Sequence, residues 1–165
     1  MDIIKSLLDG IAAVVKRVLA VMLGVMLVVA LLEVFRRYIF GQSFPWSEEL
    51  IRYLIIWVSF LGGAVAYKDS NLVFFDMIVG HVKGRAKLIL LLVTNTVSLA
   101  FITYIFSYAI KVVSKPSIIM QKSIGLQISM VYPYLAIPVG LGLMILFGIY
   151  HYRTILQGYR DGGYE

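Results

Sequence analysis

The sequence predicts an all-α integral membrane protein with four transmembrane helices plus amphipathic interfacial helices, on three observations. Hydrophobic residues fill 61% of the 165 positions and charged residues 15%, with a mean hydropathy of +0.90, well outside the range of soluble domains. Four apolar stretches meet or approach the length of about 20 residues that crosses a hydrocarbon core. The 15 Lys and Arg residues stand in small groups beside those stretches, where membrane topology signals belong.

These quantities bound the function as well. A chain of this length holds one helical bundle, residues 1–165, with no room for a separate soluble catalytic domain, so an enzyme is not expected. The absence of cysteine removes disulfides, thiolate zinc sites and thiol nucleophiles together. A net charge of +6 would suit nucleic acid, but the distribution of the basic residues assigns them to the membrane surface instead.

The elements follow in order. Over residues 1–15, Ile4, Leu7, Leu8, Ile11 and Val15 recur at helical spacing, with Asp2, Lys5, Ser6 and Asp9 on the other side; this reads as an interfacial helix. A cleaved signal peptide is disfavoured because no small-residue cleavage pattern follows the apolar run. The first span covers about 16–40, bounded by Lys16 and Arg17 at one end and by Arg36 and Arg37 at the other, with Glu33 just inside. The second covers about 47–67 and includes Arg52, Trp57 and the Gly62-Gly63 pair. Residues 68–87, too short and too interrupted by Asp76, Gly80 and His81 to cross, read as an interfacial connection. The third and fourth spans, about 88–111 and 126–152, enclose the charge-free runs 88–110 and 128–150. The third carries a polar band of Thr94, Asn95, Thr96 and Ser98 that can hydrogen-bond between helices; the fourth carries Pro133 and Pro138. Four crossings put nine basic residues on one side and six on the other, which assigns both termini to the cytoplasm.

The connection after the first span is the most structured polar feature. Gly41 and Pro45 suit a turn, Ser47 can cap the second helix, and Glu48 and Glu49 complement the positive end of its dipole. Arg52 follows Glu48 by one helical turn and can pair with either carboxylate. Tyr38, Trp46 and Tyr53 fit an aromatic belt. An acid/base dyad of Glu48 and Glu49 is disfavoured, because adjacent helical residues point about 100° apart. Glu33 has two readings. It is the coupling residue of a stand-alone, proton-coupled exporter acting as a homo-oligomer, or it forms an ion pair with Arg36 and Arg37, which lie within the next turn. His81 and His151 have no metal-ligand spacing, and no catalytic residue, cofactor or metal is expected.

Several of these residues together resemble the small membrane subunit, DctQ type, of tripartite ATP-independent periplasmic (TRAP) transporters. The resemblance rests on Arg37, Tyr38 and Phe40, then Trp46, Glu48, Glu49 and Arg52, then Trp57, Phe60, Leu61, Gly62, Ala64 and Ala66. It continues through Tyr134, Ala136, Ile137, Pro138, Val139, Gly140 and Met144. One difference stands out: the family often has a histidine shortly before an aspartate after the second span, where this chain has Asn71 and Leu72 ahead of Asp76.

The resemblance implies a non-catalytic subunit of the bacterial inner membrane without a transport site of its own. It would scaffold a large multi-span transporter subunit, the M subunit, within the lipid bilayer. A periplasmic substrate-binding protein would deliver a carboxylate such as a C4-dicarboxylate or a sialic acid, and a sodium gradient would drive uptake by symport. Arg37, Trp46, Glu48, Glu49 and Arg52 would then hold the first two spans and their docking onto that partner.

Overall fold

The computed structural model describes residues 2–69 and 84–160, and 87% of these are helical, with no strand among them. The helices are α1 (Asp2–Phe40), α2 (Ser47–Lys68), α3 (Gly84–Val113), the short α4 (Pro116–Met120) and α5 (Val131–Arg160). All but α4 are long and apolar enough to cross a membrane. Most of the interfacial connection expected over 68–87 lies outside the described residues.

Chain order is not spatial order. α2 packs against both α1 and α5, and α5 packs against both α2 and α3, so the last helix lies in the middle of the row. Burial says the same: 39% of the apolar window of α5 is buried, against 6% in each of α1 and α3. The outward faces of α1 and α3 carry exposed Val, Leu, Ile and Phe side chains, the surface that a hydrocarbon solvent favours.

The central position of α5 depends on small residues, because apolar helices in lipid associate by close packing and not by a hydrophobic driving force. Ala136 and Gly140 of α5 are buried. A Cβ at Gly140 would lie 2.6 Å from Phe60 Cβ and 2.9 Å from the Phe60 carbonyl, so the α2 backbone passes directly over this glycine. Toward the other end, Ala64 of α2 and Phe147 of α5 form one cluster with Leu8 and Ala12 of α1. Residues 2–15 thus continue into the first span as a single helix, with Leu8, Ile11 and Ala12 docked on Ala64 of α2 and Phe147 of α5 while Ile4 and Leu7 stay exposed.

A polar knot joins three helices beside this cluster. Asn95 of α3 is buried; its side-chain oxygen accepts from the Tyr67 hydroxyl of α2 at 2.9 Å, and its amide donates to the Gly148 carbonyl of α5 at 3.2 Å. A Cβ at Gly148 would come within 2.6 Å of Leu99, so the glycine is what lets α3 approach. The Thr96 hydroxyl bonds the Leu92 carbonyl of its own helix at 2.7 Å and meets the Tyr152 hydroxyl of α5 at 2.7 Å. The polar band of the third span therefore does bridge helices, through Asn95 and Thr96, whereas the Thr94 hydroxyl returns to the Leu90 carbonyl of its own helix. At one end of the bundle, Lys16 pairs with Asp69 at 2.7 Å and Lys68 pairs with Asp9, fastening the first half of α1 to the end of α2.

The turn before α5 extends further than the sequence reading allowed. Residues 121–130 form a tight reversal in which the Ser123 N–H donates to the Ile128 carbonyl at 2.8 Å and the Met130 N–H to the Gln121 carbonyl at 3.0 Å. Gln127 has a φ of 56°, which no helix tolerates, so α5 begins at Val131 and not at residue 126.

Replacing Gly140 by Ala should destabilise the bundle by about 1–3 kcal/mol, because the added methyl group meets backbone and not a mobile side-chain end. Gly24→Ala, at a position open to 4 Å, is the control. Thermal unfolding of both variants in detergent checks this, with a lowered melting temperature expected for the Gly140 variant alone.

Candidate functional site

The polar residues at the α1–α2 junction organise two loops, each held by one carboxylate. The first is the connection 41–46. Glu33, two turns before the end of α1, uses Oε2 to accept from the Phe44 N–H at 3.1 Å and the Ser47 hydroxyl at 2.7 Å. Gly41 makes the chain reversal possible with a φ of 63°, and its N–H closes the last turn of α1 on the Arg37 carbonyl. Arg36 lays its guanidinium over the Phe44 ring at 3.8 Å, and Phe44 in turn contacts Trp46, with ring centroids 5.3 Å apart.

This arrangement corrects two expectations. Ser47 does not cap α2: the N-cap position is Trp46 with no side-chain cap bond, and the buried Ser47 hydroxyl points back to Glu33 and the Phe44 carbonyl. Glu33 forms no ion pair with Arg36 or Arg37 among the described residues, because the connection folds back over it and supplies uncharged donors at shorter range.

The second loop is the 121–130 turn, far away in sequence. Glu49, in the first turn of α2, accepts from three successive backbone N–H groups: Ile124 at 3.2 Å on Oε1, and Gly125 and Leu126 at 2.9 Å each on Oε2. Consecutive N–H groups converging in a turn make an anion-binding concavity, and here a side chain of the same protein fills it. Gly125 is required for the fit, because a Cβ there would fall 2.5 Å from the Pro45 carbonyl oxygen and 2.9 Å from Glu49 Oε2. The two loops therefore touch each other through Pro45, Glu49 and Gly125. Tyr53, one turn further along α2, donates its hydroxyl to Met130 Sδ at 3.5 Å, and Ser123 is buried in the same turn.

The expected Glu48 or Glu49 pairing with Arg52 is absent among the described residues, since Glu49 is occupied by the turn. Glu48 and Arg52 are exposed, as is Arg37, which lies with Glu33, Val34 and Tyr38 along an open groove. Trp46 is half-buried. Of the residues singled out in the sequence, Trp46 and Glu49 are built into the junction, while Arg37, Glu48 and Arg52 face outward. Sequence reasoning missed the 121–130 turn as the partner of Glu49. The available signal was negative: residues 77–160 contain no Asp or Glu, so a carboxylate that answers a turn there has to come from elsewhere in the chain.

Chemically, both carboxylates act as hydrogen-bond acceptors that shape backbone. His151 lies on α5, His81 lies outside the described residues, and no group of three or more His, Cys, Asp or Glu gathers among the described ones.

Comparison with known proteins gives a family match over residues 12–158, to the DctQ component of tripartite ATP-independent periplasmic transporters. The chain is 28% identical over 99 residues to the "Isethionate TRAP transporter permease protein DctMQ" of Oleidesulfovibrio alaskensis, covering 60% of this chain and 16% of that protein. It is 31% identical over 77 residues to the "Putative TRAP transporter small permease protein" of Haemophilus influenzae, covering 47% of this chain and 48% of that protein. The matched segments thus span less than half the length of either relative.

Glu49→Gln should speed amide hydrogen exchange at Ile124, Gly125 and Leu126 by about tenfold or more, since charge-assisted acceptance by both oxygens is lost. Glu48→Gln, on the exposed side of the same turn, should leave that exchange unchanged. Exchange measured by mass spectrometry on the two variants checks the assignment.

Proposed function

The chain belongs to the DctQ family of TRAP transporter components and has four helices long and apolar enough to cross a membrane, and from that premise we propose that it is a small permease subunit, a non-catalytic scaffold for a much larger transporter subunit. The observation that carries this reading is the use of its two junction carboxylates: Glu33 and Glu49 both accept hydrogen bonds from loops of the chain itself. A subunit whose acidic groups shape its own backbone is suited to hold a fixed form beside a moving partner. The fused M and Q designation in the name of the Oleidesulfovibrio relative, of which this chain matches 16%, supports a large partner.

On this proposal, a periplasmic binding protein delivers a carboxylate of the C4-dicarboxylate or sialic acid class, and a sodium gradient drives symport through the large subunit. The protein resides in the bacterial inner membrane with both termini in the cytoplasm, an orientation supported by the excess of basic residues on that side. Arg37, Glu48 and Arg52, exposed and outside the internal ties, are the polar groups available for docking, with Trp46 and Glu49 setting the shape behind them.

The test is co-purification. The tagged chain, extracted from its host membrane in mild detergent, should bring down a multi-span membrane protein in near-equal amount. Arg52→Ala should reduce that recovery about fivefold or more without lowering the melting temperature of the isolated chain, because Arg52 forms no ion pair among the described residues. Recovery of the chain only as a self-associated oligomer would overturn the scaffold reading.

A further inference from the structure

The end of α1 bears a groove that the family assignment does not use. It lies between α1 and the turn that follows, has a volume of about 520 Å³, and is lined by Leu32, Phe35, Arg36, Phe40, Gln42 and Phe44. Its composition is divided. Leu32, Phe35 and Phe40 are apolar and more than half exposed, at 53%, 62% and 71%, although Arg36 stands among them.

The depth of the groove follows from helix geometry. A rise of about 1.5 Å per residue separates Arg17 from Arg36 by roughly 28 Å, close to the hydrocarbon thickness of about 30 Å. With the basic residues at each end at the level of the headgroups, Leu32 lies one turn inside the hydrocarbon and Gln42 faces the headgroup region. The groove runs from one zone into the other, as a phospholipid does.

Arg36 is preorganised for an anion. Its guanidinium carbon lies over the Phe44 ring, 3.8 Å from the centroid, and one N–H reaches the Gln42 side-chain oxygen at 3.5 Å. Neither partner neutralises it; the Glu33 carboxylate one turn away feels its charge, but no carboxylate is within ion-pair distance of it among the described residues. A guanidinium has five N–H donors, so donors remain for a phosphate oxygen in a geometry that a planar fork matches well.

We propose that this groove is a binding site for an anionic glycerophospholipid, with the phosphate on Arg36 and an acyl chain along Leu32 and Phe35. The charge of Arg36 selects the headgroup, and the apolar wall requires that the ligand be a lipid and not a free phosphate.

Native mass spectrometry of the full chain, released from detergent in the presence of phosphatidylglycerol or phosphatidylcholine, tests this. The chain should retain phosphatidylglycerol about tenfold more strongly, and Arg36→Gln should remove most of that preference. Leu32→Trp fills the groove while leaving the Arg36 charge and the Phe44 stack in place, so it tests the site even if the Arg36 variant fails to express. Lys115→Gln, which removes one charge from the same end of the bundle outside the groove, should retain the preference. Equal loss in the Lys115 variant would reduce the effect to general surface charge and overturn the proposal. Displacement of the lipid by glycerol 1-phosphate at equal concentration would make it a simple anion site. Unchanged lipid retention together with reduced recovery of a large membrane partner, in both groove variants, would make the groove a protein contact.

Discussion

Glu49 is the point on which the arrangement of the bundle depends. It belongs to the first turn of α2, yet its three hydrogen bonds go to residues 124–126, at the threshold of α5. α5 is the central helix, packed on α2 along one face and on α3 along another. Where it enters the bundle therefore sets both interfaces. A turn with three unanswered N–H groups at the edge of a low-dielectric phase would be costly. A carboxylate from the neighbouring helix solves both problems, because it satisfies the turn and fixes its position relative to α2. Gly125 is the counterpart of this tie, since any side chain there would separate the turn from Pro45 and Glu49.

Two glycines along α5 extend the same constraint into the membrane. Gly140 lets the α2 backbone approach at Phe60, and Gly148 lets Leu99 of α3 approach on the other side. Between them, Phe147 fills the space against Ala64, Leu8 and Ala12. The Tyr67–Asn95–Gly148 knot then fixes rotation, because a hydrogen bond between helices has a direction that apolar packing lacks. Entry point, approach and rotation of the central helix are thus set by three different kinds of contact, each at a different depth.

The spans were legible in the sequence because hydrophobicity over about 20 residues is a local property. The first span and the charge-free parts of α3 and α5 follow from it directly. The packing order does not, since all four spans are apolar nearly all round and so carry little facing information. The site was half legible for a related reason. The importance of Trp46 and Glu49 could be seen from composition and from the family resemblance, but local rules assigned the wrong partners. Ser47 and Arg52 are the nearest groups in sequence to cap the helix and pair with Glu49. The structure instead gives Ser47 to Glu33 and Glu49 to a turn some 75 residues later. Local rules fail here because Glu49 answers to backbone donors brought in by tertiary folding, which have no residue type to recognise, while the Ser47 hydroxyl donates to a carboxylate 14 residues earlier in the chain.

The division of polar groups bears on how a subunit of this kind can serve a transporter. Glu33 and Glu49 look inward and hold loops, so protonating either one would loosen the chain itself. Arg37, Glu48 and Arg52 look outward and carry no internal tie among the described residues. A side chain that stabilises nothing inside its own chain can be reoriented by a partner without cost to the fold. The same reasoning separates Arg36 from Arg37: Arg36 is held over Phe44 and presents a fixed donor set, whereas Arg37 is free to adapt. A fixed donor set suits a small ligand of constant geometry such as a phosphate, and an adaptable one suits a protein surface. Two adjacent arginines at one helix end can thus serve different neighbours, one in the lipid phase and one in the proposed assembly.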